Sequence, residues 1–305
     1  MSASYWDQVI SDGLTVPSDR PLDDLTADLT RMLGSPDPDE RDGTAYPTLA
    51  TWIRRGVYDD LLPGLGDGMA AGLRVGLGGP EDDSVFRRAF SVRVLTECVH
   101  RDNDRALVPR DTVFAWGDRI ATWYLRELDV RAHVAGKGWA HAVAHGADAI
   151  GALAGSPHFV APELTVLLDV LADRVLLPVD GVFCHGELDR MARATLAVLR
   201  RDVLPLSVLE PWVRRLAAAA TATFPSGALP LQDPDENHGE NPGADPGMDP
   251  TGDDPFTRTG HPEAFLRALH LQLALAGAAP AVRHDLLLVL VDALRATNRH
   301  HLRPH

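Results

Sequence analysis

Lysine is nearly missing from this chain of 305 residues: each of its 29 basic residues is arginine except Lys137. Basic residues together are outnumbered by 43 Asp and Glu, leaving a formal net charge of −14. A field of that sign repels phosphates, so a generic nucleic-acid binder is excluded. Cysteine is scarce, with only Cys98 and Cys184, which excludes a disulfide framework and makes the cytoplasm the expected address. The opening Met-Ser-Ala-Ser-Tyr-Trp-Asp has neither the basic start nor the apolar stretch of a secretory signal. No apolar run approaches the ~20 residues needed to cross a bilayer, and the most aliphatic stretch, Leu286 to Val291, is closed by Asp285 and Asp292. No membrane partner is expected. Strand-like alternation is almost absent, which excludes a sheet-based fold.

What remains is helical. Apolar residues recur at helical spacing, as in Leu22, Leu25, Leu29 and Met32, or Val85, Ala89, Val92 and Leu95. The spacing predicts helices near 22–34, 45–56, 58–77, 84–100, 110–128, 139–155, 161–177, 187–201, 207–222, 262–278 and 281–299. Pro109, Pro162 and Pro280 near starts, Asp83 and Ser84 as caps, and Gly34, Gly56 and Gly155 near stops support those limits. Alternate helices begin at offsets of about 46 to 55 residues, which suggests stacked hairpins. The expectation is one all-α domain over 1–305, an α/α superhelix of HEAT-like hairpins with about eleven helices. An irregular helical bundle is the alternative. Segment 232–255, with eight acidic residues, five prolines, four glycines and no Lys or Arg, is expected to be a mobile, disordered insert. Its aspartates lack the ordered ligand pattern of an EF-hand loop.

The densest group of unusual residues runs from Asp129 to Asp148. On a helix, His141, His145 and Asp148 fall within about 60° of one another, flanked almost entirely by alanine and glycine. Small flanks let helices approach closely, so this polar stripe is expected to line a groove. Two histidines four apart can chelate zinc, and Asp148 could add a third ligand. A catalytic His-Glu-x-x-His site is excluded because Ala142 stands where the glutamate would be. The alternative is a pair of hydrogen-bonded groove histidines, with Asp148 fixing one imidazole tautomer. Lys137, placed where arginine is the easy choice, is either kept for its compact ammonium or a chance survivor of coding bias.

A second group, Cys184-His185-Gly186-Glu187-Leu188-Asp189-Arg190, sits at a loop-to-helix junction. Glu187 and Asp189 are what a helix dipole selects in a first turn, while Cys184 or His185 could complete a zinc site begun by His141 and His145. Glu187 and Arg190 also read as an ordinary helix-surface pair. Arg41-Asp42-Gly43-Thr44 with Tyr46 and Trp52 reads as a helix start, and His300, His301 and His305 as a frayed tail.

These residues carry a resemblance. The run Asp129-Val130-Arg131 through Gly136-Lys137-Gly138-Trp139-Ala140-His141, then Ala144-His145-Gly146-Ala147-Asp148, with Gly186-Glu187-Leu188-Asp189-Arg190-Met191 and Asp42-Gly43-Thr44-Ala45-Tyr46-Pro47, resembles an uncharacterised bacterial family, domain of unknown function 2785. The likeness spans roughly residues 40 to 300 and brings no known activity. It implies an all-α domain in which Lys137, Trp139, His141, His145, Asp148, Glu187 and Arg190 match the family pattern, with Cys184 and His185 just outside it. Gly138-Trp139 followed by Cys184-His185-Gly186 is also similar to a fragment of the lanthionine cyclase pattern, whose zinc is held by two cysteines and a histidine. Ala140 stands in place of the first cysteine, so that thiolate pair cannot form.

Two functions fit these residues. One is a scaffold that binds a small polar ligand or a protein through a groove lined by His141, His145, Asp148, Glu187 and Arg190. The other is a zinc-dependent or acid–base enzyme using the same groove, with His141, His145, Asp148 and His185 as candidate ligands, Lys137 stabilising an anion and Glu187 as base. No cofactor motif is evident, and zinc is the only candidate metal.

Overall fold

The computed structural model describes residues 5–79, 81–221 and 255–298. Among them lie twelve α-helices: α1 (Tyr5–Ser11), α2 (Leu22–Met32), α3 (Tyr46–Arg54), α4 (Leu62–Gly72), α5 (Ser84–Arg105), α6 (Arg110–Arg126), α7 (Ala142–Ala154), α8 (Ala161–Leu176), α9 (Glu187–Leu199), α10 (Leu206–Thr221), α11 (Pro255–Leu275) and α12 (Arg283–Thr297). A π-helical turn, Asp39–Ala45, leads into α3, and two short strands, β1 (His133–Val134) and β2 (Gly138–Trp139), pair antiparallel. No helix among the described residues is long and apolar enough to cross a membrane. The acidic segment expected to be a mobile insert lies outside the described residues apart from Pro255, where α11 begins, and so do His300, His301 and His305.

The fold is all-α and superhelical, with consecutive helices packed in two layers. One layer runs α3, α5, α7, α9, α11, each helix against the next; the other runs α4, α6, α8, α10 behind it. The composition of α7 explains its central place. Eleven of its thirteen residues are buried, Asp148 and Gly151 being the exceptions, and a helix buried nearly all round must be enclosed by others. Gly146 lets it sit close on α6, since a Cβ there would collide with the buried Tyr124 ring. A buried ion pair ties α5 to the end of α6: Arg88 Nε and Nη2 donate to Glu127 at 2.5 and 2.8 Å, and Trp123 Nε1 adds a bond at 2.9 Å.

The expected helix over 139–155 begins three residues later. Gly136 and Gly138 have φ of +74° and +82°, values that glycine tolerates and other residues resist, and they close a hairpin pairing His133 with Trp139. The N–H groups of Ala140 and His141 then both donate to the Ala132 carbonyl, at 2.8 and 3.2 Å, and α7 starts only at Ala142. Buried Arg41 anchors this hairpin from the π-helical turn. Its guanidinium lies 4.0 Å over the Phe86 ring and donates to the carbonyls of Lys137 and Ser35 at 2.8 Å each.

Candidate functional site

Helices α7 and α9 lie side by side along a seam. At their N-terminal ends stand His141, immediately before α7, and Glu187, the first residue of α9. His141 is therefore not on the helical face with His145 and Asp148, as its spacing predicts; it holds φ of +52°, a left-handed backbone rare for a residue with a Cβ. The two rings stay near each other, their centroids 6.0 Å apart. Half-exposed Trp139 packs edge-on against His141 at 4.5 Å, His133 at 4.9 Å and His185 at 5.4 Å. It does not join the apolar side of α7. His141 Nε2 is buried without a hydrogen-bond partner among the described residues. Burial lowers the pKa of this imidazole, and the Glu187 carboxylate opposes that shift. Glu187 is itself buried and accepts the His185 N–H at 2.8 Å.

One turn further along the seam, buried His145 meets Arg190. The guanidinium lies 3.2 Å from Nδ1 of the imidazole. A guanidinium can only donate, so Nδ1 accepts and Nε2 carries the proton. Burial, reinforced by Arg93, Arg190 and His141, holds the His145 pKa well below the usual histidine value. Another turn on, Asp148 is shared between two arginines: Arg190 Nε donates to it at 3.1 Å, Arg190 Nη2 also donates to it, and Arg193 Nη2 donates at 2.8 Å. Asp148 thus binds guanidinium groups. Among the described residues no group of three His, Cys, Asp or Glu side chains is placed to hold a metal ion. Cys184 is exposed, with Sγ 3.3 Å from His185 Nδ1.

This part of the seam opens into a cavity of about 360 Å³ bounded by α3, α5, α7 and α9. Its charged walls are Arg93 and Glu97 from α5, Asp148 from α7, and Arg190 and Arg193 from α9. Glu97 is engaged by the Tyr46 hydroxyl at 2.8 Å and by Arg54 at 3.3 Å. Arg93 lies over Tyr46, its guanidinium carbon 3.6 Å from the ring centroid, in a cation–π contact. Burial and the like charges of Arg193 and Arg93 bring the Arg190 pKa down to about 10. Three guanidiniums therefore crowd one concave surface.

The residues singled out in the sequence divide between two places. His145, Asp148 and Arg190 line the cavity. Trp139, His141, His185 and Glu187 gather at the end of the same seam, as their ring contacts and charge coupling show. Lys137 stands apart at the hairpin turn, its ammonium 2.7 and 2.8 Å from the Asp83 carboxylate oxygens. Arg93 and Arg193 had no signal in the sequence, because arginine is the ordinary basic residue throughout. A family model described as protein of unknown function (DUF2785) matches residues 73–231, just over half of the chain. No curated protein and no solved structure matches.

Proposed function

We propose that this chain, which belongs to the DUF2785 family, is a binding protein whose groove takes a small anionic ligand bearing a phosphate or carboxylate group. The convergence of Arg93, Arg190 and Arg193 on one cavity carries this reading. Asp148 and Glu97 oppose them in the cavity wall, where Glu97 is already held by Tyr46 and Arg54, and Asp42 behind the wall lies 3.5 Å from Arg93 while also pairing with Arg41, so the arginines outnumber the carboxylates left to them. A cationic excess in a chain of net charge −14 runs against the field of the whole molecule, so it needs a local use. The cavity volume of about 360 Å³ suits a small molecule. Planar, forked guanidinium groups are the side chains best matched to carboxylate and phosphate oxygens.

Calorimetric titration with inorganic phosphate tests this. A hydrogen bond to a charged group contributes about 1.5–3 kcal/mol, so Arg193→Ala or Arg93→Ala should weaken binding about ten- to a hundredfold. Absence of binding, or affinity unchanged in both variants, overturns the reading.

A second reading, an acid–base enzyme acting through the same seam, draws on one observation. The left-handed backbone of His141 and its unpartnered Nε2 stand beside buried Glu187, and strain of this kind clusters at functional sites. In its zinc-dependent form, metal bound stoichiometrically by the purified protein would disappear in the His141→Ala/His145→Ala double variant. Metal-free protein, with stability unchanged by those substitutions, would count against that form.

A further inference from the structure

Outside the groove, the interior holds a charge with no ion-pair partner among the described residues. Arg174 of α8 is completely buried. Its Nη1 donates to the carbonyl oxygens of Tyr124 and Glu127 at 3.1 and 2.7 Å. Its Nε and Nη2 have no partner among the described residues, and neither has the buried hydroxyl of Tyr124. The guanidinium carbon lies 5.6 Å from the Tyr124 ring centroid and 5.9 Å from that of Phe183, and its charge acts on the Tyr124 phenol.

Glu127 acts on the Arg174 charge from nearby but does not pair with it. Both oxygens of Glu127 are committed to Arg88, with further bonds from Trp123 Nε1 at 2.9 Å and the Asp129 N–H at 3.1 Å. Glu187, a carboxylate felt at Tyr124, accepts the His185 N–H and forms no ion pair with Arg174 among the described residues. His261 supplies no negative charge: its ring stacks on Phe183 at 4.2 Å, and its Nε2 accepts the Phe183 N–H at 2.9 Å. Tyr124 stays a neutral phenol, because burial pushes its pKa up. The unpartnered groups are thus guanidinium and phenol N–H and O–H donors around a buried positive charge. Water could accept their hydrogen bonds but would leave the charge; an anion answers both.

We propose that Arg174 and Tyr124 hold a small monovalent inorganic anion, of the size and chemistry of chloride, in the interior between α6, α8 and the Phe183 loop. The site is separate from the groove and does not depend on the groove's function. An anion bound only by the folded state raises stability as its concentration rises.

The test compares thermal unfolding of the full chain in sodium chloride and in sodium gluconate, whose anion is too large to enter, at matched ionic strength. The groove variant Arg93→Ala/Arg193→Ala, which has lost the arginine pair that the gluconate carboxylate could bind, should unfold at least about 2 °C higher in chloride. Adding Arg174→Met to it should abolish that difference. Equal unfolding temperatures of the groove variant in the two salts overturn the proposal, as does a difference that survives when Arg174→Met is added. Should Arg174→Met fail to fold, Tyr124→Phe decides: the chloride concentration giving half of the stabilisation should rise about threefold or more, and an unchanged midpoint overturns the proposal.

Discussion

Acidification should destabilise this protein through His145, by an amount that its burial sets. The imidazole is 6% exposed and accepts a hydrogen bond from Arg190 through Nδ1. Burial, with Arg93, Arg190 and His141 adding to it, holds its pKa well below the usual value in the folded state. In the unfolded chain the same group titrates near 6.5. Between those two values the unfolded state binds a proton that the folded state refuses, so stability falls as pH falls. The contribution is fully present above about pH 6.5 and is lost at about 1.4 kcal/mol per pH unit below it. The loss keeps growing with each unit of acidification until the folded-state pKa is reached. The comparison is with His145→Asn, whose amide oxygen can take the place of Nδ1 as acceptor for Arg190 but does not titrate. Urea unfolding at half-unit steps between pH 7 and pH 5 should give a curve for the variant that is shallower by that slope. Parallel curves would refute the reasoning, because His145 would then be protonated as easily in the fold as out of it.

The order of helices was legible because amphipathic spacing survives in sequence wherever one face of a helix is apolar. Ser84 to Arg105 and Ala161 to Leu176 are found close to where periodicity puts them. The errors have local causes. The seven-residue helix α1, Tyr5–Ser11, is too short to repeat its pattern and buries only Val9. The start of α7 was misplaced because Trp139 falls in phase with Val143, Ile150 and Leu153, while the interruption lies in backbone angles at Gly136, Gly138 and His141. A left-handed histidine has no sequence signature. Proximity of α7 and α9 could be anticipated from the alanine and glycine flanks, and it does bring Arg190 onto His145 and Asp148. The rest of the groove could not be. Arg93 and Arg193 are two among many arginines, and only the packing of α5 and α9 around α7 selects them. The same holds for Arg174, whose helix reads as ordinarily amphipathic.

Two further substitutions probe that seam. Gly146→Ala sets a gain in helix propensity of about 1 kcal/mol against overpacking of about 1–3 kcal/mol, since the new methyl would press on the buried Tyr124 and Trp123 rings. The urea midpoint should fall, and a rise would mean that α6 yields freely to α7. Asp148→Asn separates the cationic excess from the mere presence of arginine. The carboxylate is the counter-ion of both Arg190 and Arg193, and its side chain is 26% exposed, so removing its charge should cost only about 1 kcal/mol of stability. It also frees both guanidiniums to face a ligand and removes a negative charge that repels one. Phosphate affinity measured by calorimetry at low ionic strength should therefore rise about fivefold or more, with the gain shrinking as salt screens it. Weaker phosphate binding in Asp148→Asn would refute this account. The arginines would then owe any ligand affinity to being held in place by Asp148, and an unneutralised charge would no longer explain why three of them meet.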